Sequence, residues 1–314
     1  QGMILRDNAF GTMQEDAFRR DFTINALYFD PQSNEIIDYV GGVGDIKEKR
    51  LRFIGDTPVR LAEDPVRILR ALRFSAKLNF DIDPEILQHL DNSAERLRAI
   101  PPARLFDEFL KLFFQGRALP IWQLMRQTPL AKALFPTCNP HSELVEAAMR
   151  NTDDRIRNDA SITPGFLVAV LLWEDYCARK NQRQTNEEDP AYATLRDQQE
   201  FIAIPRRFGT FAKEMWSIQE RLIRRSPRTI ERLGTHKRFR AGYDFLCLRG
   251  AQEDDIQVIA QWWTDYQEAD QEGKTQMIGE LPKSGPRRKR KSRGKRKASA
   301  GEGTTKAVPE NSSP

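Results

Sequence analysis

Apolar and polar positions follow two different rhythms along this chain. Near the start the pattern is short and strand-like. "NALYFDP" (residues 25–31) and "NEIIDYVGG" (residues 34–42) flank the turn-rich "DPQSN", which predicts two strands and a connecting turn. "LRFIGD" (residues 51–56) predicts a further short strand. From Ala62 the period becomes helical, with Val66, Leu69, Leu72, Phe74 and Leu78 recurring at helix spacing. "PPARLFDEFLKLFF" (residues 101–114) opens another helix, with proline at its start. Helical patterns continue through "SELVEAAMR", "TPGFLVAVLLWEDY", "FAKEMWSIQERLIRR", "AGYDFLCLRG" and "IQVIAQWWTDYQEA". The expected fold class is α+β: a few short strands, then a long all-helical body.

Composition adds boundaries. A chain of 314 residues, 39% hydrophobic and 30% charged, can form two domains or one elongated one. The longest apolar run, "GFLVAVLLW" (residues 165–173), is far short of the roughly 20 residues of a membrane span and predicts a buried helix. Three scattered cysteines and three scattered histidines suggest neither a disulfide framework nor a metal cluster, and fit a reducing, cytoplasmic setting. The net charge of +5 is a property of the tail. Residues 283–314 hold eleven Lys/Arg and two Glu, net +9, whereas residues 1–282 hold 39 Lys/Arg and 43 Asp/Glu, net −4. The run "RRKRKSRGKRK", with Ser, Gly, Thr and Pro after it, cannot bury apolar surface and is expected to be disordered. Its Arg287, Arg288, Lys289, Arg290, Lys291, Arg293, Lys295, Arg296 and Lys297 predict an arm for the RNA phosphate backbone or another polyanion.

Two charged segments border apolar runs and call for partners, because burying charge alone is costly. The first is "RRDFTINAL", with Arg19, Arg20, Asp21 and Asn25. The second is "EDPVRILRALRF", with Glu63, Asp64, Arg67, Arg70 and Arg73. Asp64 before Pro65 reads as the cap of a helix. Asp64 and Arg67, three apart, also place an acceptor beside a donor, which suits the pairing edge of adenine or cytosine and rejects that of guanine or uracil. Spacing leaves both readings open. "DID" (residues 81–83) looks like a metal pair, but Asp83 before Pro84 reads as another helix cap. Arg104 and Glu108, four apart, suggest a helix ion pair.

"RRDFTINAL", "DYVGGVGDI" (residues 38–46) and "EDPVRILRALRF", in this order and at close intervals, resemble the class II nucleotidyltransferases. These are the tRNA CCA-adding enzymes and the bacterial poly(A) polymerases. "IPPARLFDEFLKLFF", "NTDDRIRNDASITPGFLVAVLLW", "HKRFRAGYDFLCLR", "QWWTDYQ" and the basic tail are more similar to the poly(A) polymerase branch. The resemblance implies that the short strands belong to a nucleotidyltransferase head, at residues 1–58. A helical neck would follow at 59–120, an RNA-binding body at 121–282 and the tail at 283–314. It implies that Asp21 matches a position counted with the catalytic aspartates, that Arg20 and Asn25 bind nucleotide, and that Gly41 and Gly42 form a flexible turn. Glu63, Asp64 and Arg67 would select the base, and Arg70 and Arg73 would hold the triphosphate. The implied substrates are ATP and RNA 3′ ends, with Mg²⁺ as cofactor and RNA-decay proteins as further partners. The family's "GG-x-x-R-D" turn and "D-x-D" metal pair are not found between Gln1 and Arg19. The chain is therefore expected to be part of a longer enzyme and inactive by itself. A CCA-adding activity and a non-catalytic RNA-binding role are the alternatives.

Overall fold

The computed structural model describes residues 11–184 and 187–281. The basic tail and its nine phosphate-contact candidates lie outside the described residues.

A capping box opens helix α1 (Met13–Arg19): the Thr12 hydroxyl accepts from the Glu15 amide at 3.2 Å, and the Glu15 carboxylate accepts from the Thr12 amide at 2.7 Å. Strands β1 (Leu27–Asp30) and β2 (Glu35–Asp38) form the expected antiparallel hairpin, with Leu27 opposite Asp38 and Asp30 opposite Glu35. Helix α2 (Gly42–Lys47) follows at once. The Asp38 carboxylate accepts from the amides of Val40, Gly41, Gly42 and Val43, and so gathers the open N–H groups of its first turn. Gly41 sits at φ +82°, the left-handed region, and a Cβ on Gly42 would come within 2.3 Å of the Thr23 carbonyl oxygen. Tight local geometry therefore demands both glycines. Strand β3 (Arg50–Leu51) pairs in parallel with β4 (Asp81–Ile82).

Helix α3 (Thr57–Glu63) starts earlier than the periodicity suggests, capped by Asp56, whose carboxylate accepts from the Val59 amide. It stops at Asp64. Pro65 disfavours the helical region for the residue before it, and Asp64 is extended at φ −145°, ψ 95°. Helix α4 (Arg67–Leu78) then restarts along a new line. The expectation of unbroken helix from Ala62 is thus corrected, and so is the role of Asp64, which ends α3 rather than capping α4 as its formal first residue. The residue still helps the restart: its carboxylate accepts from the Val66 amide and its carbonyl from the Arg67 amide.

The remaining chain is helical: α5 (Pro84–Leu87), α6 (Leu90–Leu97), α7 (Pro102–Phe113), α8 (Ala118–Met125), α9 (Leu130–Leu134), α10 (Glu143–Arg157), α11 (Pro164–Leu171), α12 (Trp173–Gln182), α13 (Pro190–Gln198), α14 (Arg206–Arg224), α15 (Pro227–Gly234), α16 (Phe239–Gly250), α17 (Asp254–Glu268) and α18 (Gln271–Gly279). Asp83 caps α5 through the Glu85 amide, as its spacing suggests. The apolar run at 165–173 becomes the buried α11 and the first residue of α12.

One hydrophobic cluster runs from Phe22, Leu51 and Phe53 through α4, α7, α8 and α10 to Trp216 of α14. It crosses residue 120 without a break, and residue 58 falls inside α3, so neither limit of the expected neck coincides with a gap in packing. A second cluster, built on Ile218, Leu222, Leu246 and Trp263, joins α14 to α15, α16 and α17.

Candidate nucleotide site

Phe22 explains how the first charged segment reaches the second. Its ring is fully buried, stacked on Phe53 at 5.1 Å and edge-on to Phe74 of α4 at 5.4 Å. Backbone bonds hold its flanks: Thr23 donates to the Arg52 carbonyl, and Ile54 to that of Asp21. A second anchor lies behind. Buried Asp45 of α2 accepts from the Thr23 hydroxyl at 2.5 Å, from Arg50 and from Arg52 at 3.0 Å. Burial works against its charge, but these donors prevail and hold its carboxyl below the usual range.

Fixed this way, Asp21 meets α4. Its carboxylate accepts from Arg67 at 2.8 Å and from Arg70 at 2.5 Å, and Arg60 of α3 lies 3.8 Å away. The carboxylate is largely buried. Burial opposes its charge, yet the two guanidinium groups hold its pKa below the ordinary value. The partners are therefore 46 and 49 residues away in the chain, not the adjacent arginines. Arg19 and Arg20 turn instead to Asp16, and Arg20 also donates to the Asn25 carbonyl at 2.7 Å. Asp16 further accepts from the Tyr28 hydroxyl at 2.7 Å. Asn25 is exposed beside this group.

Arg67 is held by three bonds: Nε to Asp21, and Nη1 to Glu63 at 2.9 Å and to the Arg60 carbonyl at 2.5 Å. Its Nη2 donates to no described residue. Asp64 is oriented by Arg104 of α7, which donates to it at 2.6 Å. The suggested Arg104–Glu108 pair does not form. Glu108 is buried and pairs with Lys111 at 2.9 Å, because α7 turns Arg104 towards the α3–α4 junction. The outcome is one clamped donor and one clamped acceptor, each with bonding capacity left, three residues apart.

Arg73 lies one turn beyond Arg70, its guanidinium 4.9 Å from the Phe74 ring centre. It lines a cavity of about 330 Å³ with Lys77, Lys111, Gln115 and Arg117. Four cations line that hollow, which suits anionic oxygens.

A Mg²⁺ ion needs several oxygen ligands, usually carboxylates and waters. Among the described residues, no group of three Asp, Glu, His or Cys side chains converges. Both oxygens of Asp21 already face guanidinium groups, whose charge repels a dication. The described residues around Asp21 therefore do not fit the ion. Three participants escaped the sequence reading: Asp16, Arg60 and, as the partner of Asp64, Arg104. Asp16 carried a signal, the i+3 and i+4 spacing to Arg19 and Arg20. Arg60 carried the same spacing to Glu63, with which it pairs at 3.1 Å.

The chain is similar to known proteins along most of its length. Residues 4–52 match the "Poly A polymerase head domain", residues 79–141 the "Probable RNA and SrmB- binding site of polymerase A", and residues 179–297 the "Polymerase A arginine-rich C-terminus". Poly(A) polymerase I of Salmonella typhi is 38% identical over 323 residues, covering 96% of this chain and 69% of the relative. The Haemophilus influenzae protein of that name is 37% identical over 310 residues, covering 93% and 68%. A CCA-adding enzyme of Leuconostoc citreum is 46% identical over 101 residues, only 32% of this chain and 25% of that protein. Among solved structures, a tRNA-processing enzyme in an apo form shares the fold at a TM-score of 0.60 and 24% identity, covering 86% of this chain and 75% of that one. A tRNA nucleotidyltransferase with a primer tRNA and an incoming ATP analogue reaches 0.56 at 24% identity, covering 84% and 76%. On the strength of the near-complete match at 37–38% identity, this chain belongs to the bacterial poly(A) polymerase family of nucleotidyltransferases.

Proposed function

We propose that the α3–α4 junction selects ATP and that the surrounding arginines bind its triphosphate while AMP is transferred to an RNA 3′ end. In this reading the RNA 3′ hydroxyl attacks the α-phosphorus, the bond to the β-phosphate oxygen breaks, and pyrophosphate leaves. The Nη2 of Arg67 donates to adenine N1, and Asp64 accepts from its exocyclic amino group. Guanine presents a carbonyl oxygen and an N–H there, which would set acceptor against acceptor and donor against donor. Glu63 holds Arg67 in place. Arg70, Arg73 and Arg20 face phosphate oxygens, and Asn25 borders the same segment. Asp21 orients Arg67 and Arg70 and offers a ribose hydroxyl an acceptor. Mg²⁺, the cofactor the family implies, has no ligand set among the described residues.

The observation that carries this reading is the clamped Arg67: three bonds leave one donor nitrogen uncommitted. ATP is preferred to a CTP-plus-ATP programme because the poly(A) polymerase likeness spans 96% of the chain and that to the CCA-adding enzymes about a third. We also assign the chain to a cytoplasmic setting, with RNA-decay proteins as partners, and retain the division into head, neck, body and tail.

The test is nucleotide choice in the enzyme expressed from its complete reading frame. Asp64→Ala or Arg67→Ala should reduce discrimination of ATP against GTP by about tenfold or more, from roughly 1–3 kcal/mol per lost base-edge bond. Discrimination at the wild-type level, with a collapsed melting temperature, would make the pair structural only.

A further inference from the structure

A second cavity, of about 280 Å³, lies in the helical body, where no residue of the nucleotide site contributes. Its floor is aromatic. Phe114, Phe166 and Phe211 face it, from the end of α7, from α11 and from α14. Its wall carries polar groups that can read a base edge: the Asn151 amide, the Ser161 and Thr163 hydroxyls and the Asp244 carboxylate. Its rim is cationic. Lys237 and Arg240 are about 70% exposed. Arg238 stacks over the Phe211 ring at 4.6 Å and pairs with Glu214 at 2.9 Å. Arg155 ties the wall together, donating to the Ser161 carbonyl at 3.0 Å and lying 3.4 Å from Asp244. Four cations thus line the cavity against two carboxylates: Glu214 lies 3.4 Å from Lys237 and 2.9 Å from Arg238, and Asp244 lies 2.9 Å from Arg240 and 3.4 Å from Arg155.

Each feature excludes a simpler occupant. A free phosphate would neither use the aromatic floor nor fill the volume. An apolar ligand would not call for the cations. A nucleotide uses everything: its base stacks on phenyl rings, its edge meets an amide that can pair bidentately with adenine, and its phosphates meet the rim. Lys237 and Arg240, both lining the cavity yet about 70% exposed, suit phosphates on either side of a nucleotide in a continuous strand. We propose that this body pocket holds one adenine nucleotide of the single-stranded RNA primer, upstream of the reacting 3′ end. The inference rests on the RNA-extending reading above and adds to it a place where tail sequence can be sensed. Of the matched family regions, the one whose description names RNA contributes only Phe114.

The 314-residue chain itself can be tested by fluorescence anisotropy with a labelled 15-nucleotide oligo(A). Lys237→Ala with Arg240→Ala should raise Kd about tenfold and flatten the slope of log K against log salt by about 1.4, from roughly 0.7 per phosphate contact on a single strand. Both side chains are exposed, and Asp244 and Glu214 keep Arg155 and Arg238 as partners, so the melting temperature should change little. Charge loss alone would give a similar slope, so base insertion needs its own readout. Asn151→Ala should weaken oligo(A) several-fold more than an abasic oligomer of equal length. Oligo(A) containing 8-azidoadenosine should crosslink to peptides carrying Phe166 or Phe211. An unchanged slope, equal losses for oligo(A) and abasic strands, or crosslinks only to other peptides would overturn the inference. So would protection of those peptides by AMP without release of RNA, which would assign the pocket to a free nucleotide. If ATP selection still depends on Asp64 in such a case, only the pocket assignment fails. If the wild-type chain binds no RNA at all, the parent reading fails with it.

Discussion

Replacing Asp21 by Asn separates an organising carboxylate from a purely chemical one. The amide keeps the shape and removes the charge that faces Arg67 at 2.8 Å and Arg70 at 2.5 Å. Its oxygen can still accept from one guanidinium, but its NH₂ group then confronts the other, donor against donor. Side-chain exposures are 20% for Asp21, 12% for Arg67 and 29% for Arg70, between the surface and buried limits. Surface pairs contribute about 0–1 kcal/mol and breaking a buried pair costs about 3–5, so about 2 kcal/mol is expected here. For 314 residues, with an unfolding entropy of about 2.1 cal/mol/K per residue, that corresponds to a fall of roughly 3 °C in melting temperature. The two long-range ion pairs make the fold itself sensitive to this change. AMP transfer, assayed in the enzyme from its complete reading frame well below the melting temperature, should also be lost as Arg70 loses its charged partner and Arg67 keeps only Glu63 and the Arg60 carbonyl. A thermal melt and a double-mutant cycle with Arg70→Gln decide the matter, and the coupling should be about 1 kcal/mol or more. An unshifted melt, or additive effects of the two changes, would refute the account of Asp21 as the organiser of these arginines.

Other outcomes follow from the same geometry. Arg104→Ala should release Asp64 and loosen base choice without touching any base itself; primer extension with ATP and GTP as competitors measures it, and unchanged choice would detach Arg104 from the template. Asp21, Asp38 and Asp45 all titrate below the ordinary carboxylate value in the folded protein, in each case because hydrogen-bond donors outweigh burial. Their stabilisation is full above the ordinary carboxylate pKa, about 4, and fades as pH falls through their lowered values; melts from pH 6 to 3 should show that loss, and Asp45→Asn should make it shallower. Gly42→Ala drives a methyl group into the Thr23 carbonyl and should cost about 1–3 kcal/mol, read in urea unfolding. Truncation after Pro282 removes eleven basic residues; if about six engage phosphates, the tail contributes about −4 to the slope of log K against log salt, and the slope flattens by that amount in the shortened chain, with no change in melting.

Local chemistry was written plainly in the sequence. The hairpin is set by two short apolar stretches around "DPQSN", the cap of α5 by Asp83 before Pro84, and the helical body by repeated three- and four-residue spacings. These features depend on neighbours within a few positions, which sterics and backbone hydrogen bonding decide without the rest of the molecule. The motifs "RRDFTINAL" and "EDPVRILRALRF" also marked the two segments that meet. Their meeting was a tertiary decision. Asp21 had Arg19 and Arg20 beside it, yet its partners are Arg67 and Arg70, because buried Phe22 on Phe53 and Phe74 aims the carboxylate at α4 and the end of α1 turns Arg20 to Asp16. Arg104 had Glu108 one turn away, yet it reaches Asp64, 40 residues back. The body pocket assembles α7, α10, α11, α14 and α16, and no spacing rule joins residues so far apart. A guanidinium at helix spacing always has a candidate nearby; which carboxylate it takes depends on the direction in which packing points each helix face, and that direction exists only in the folded chain.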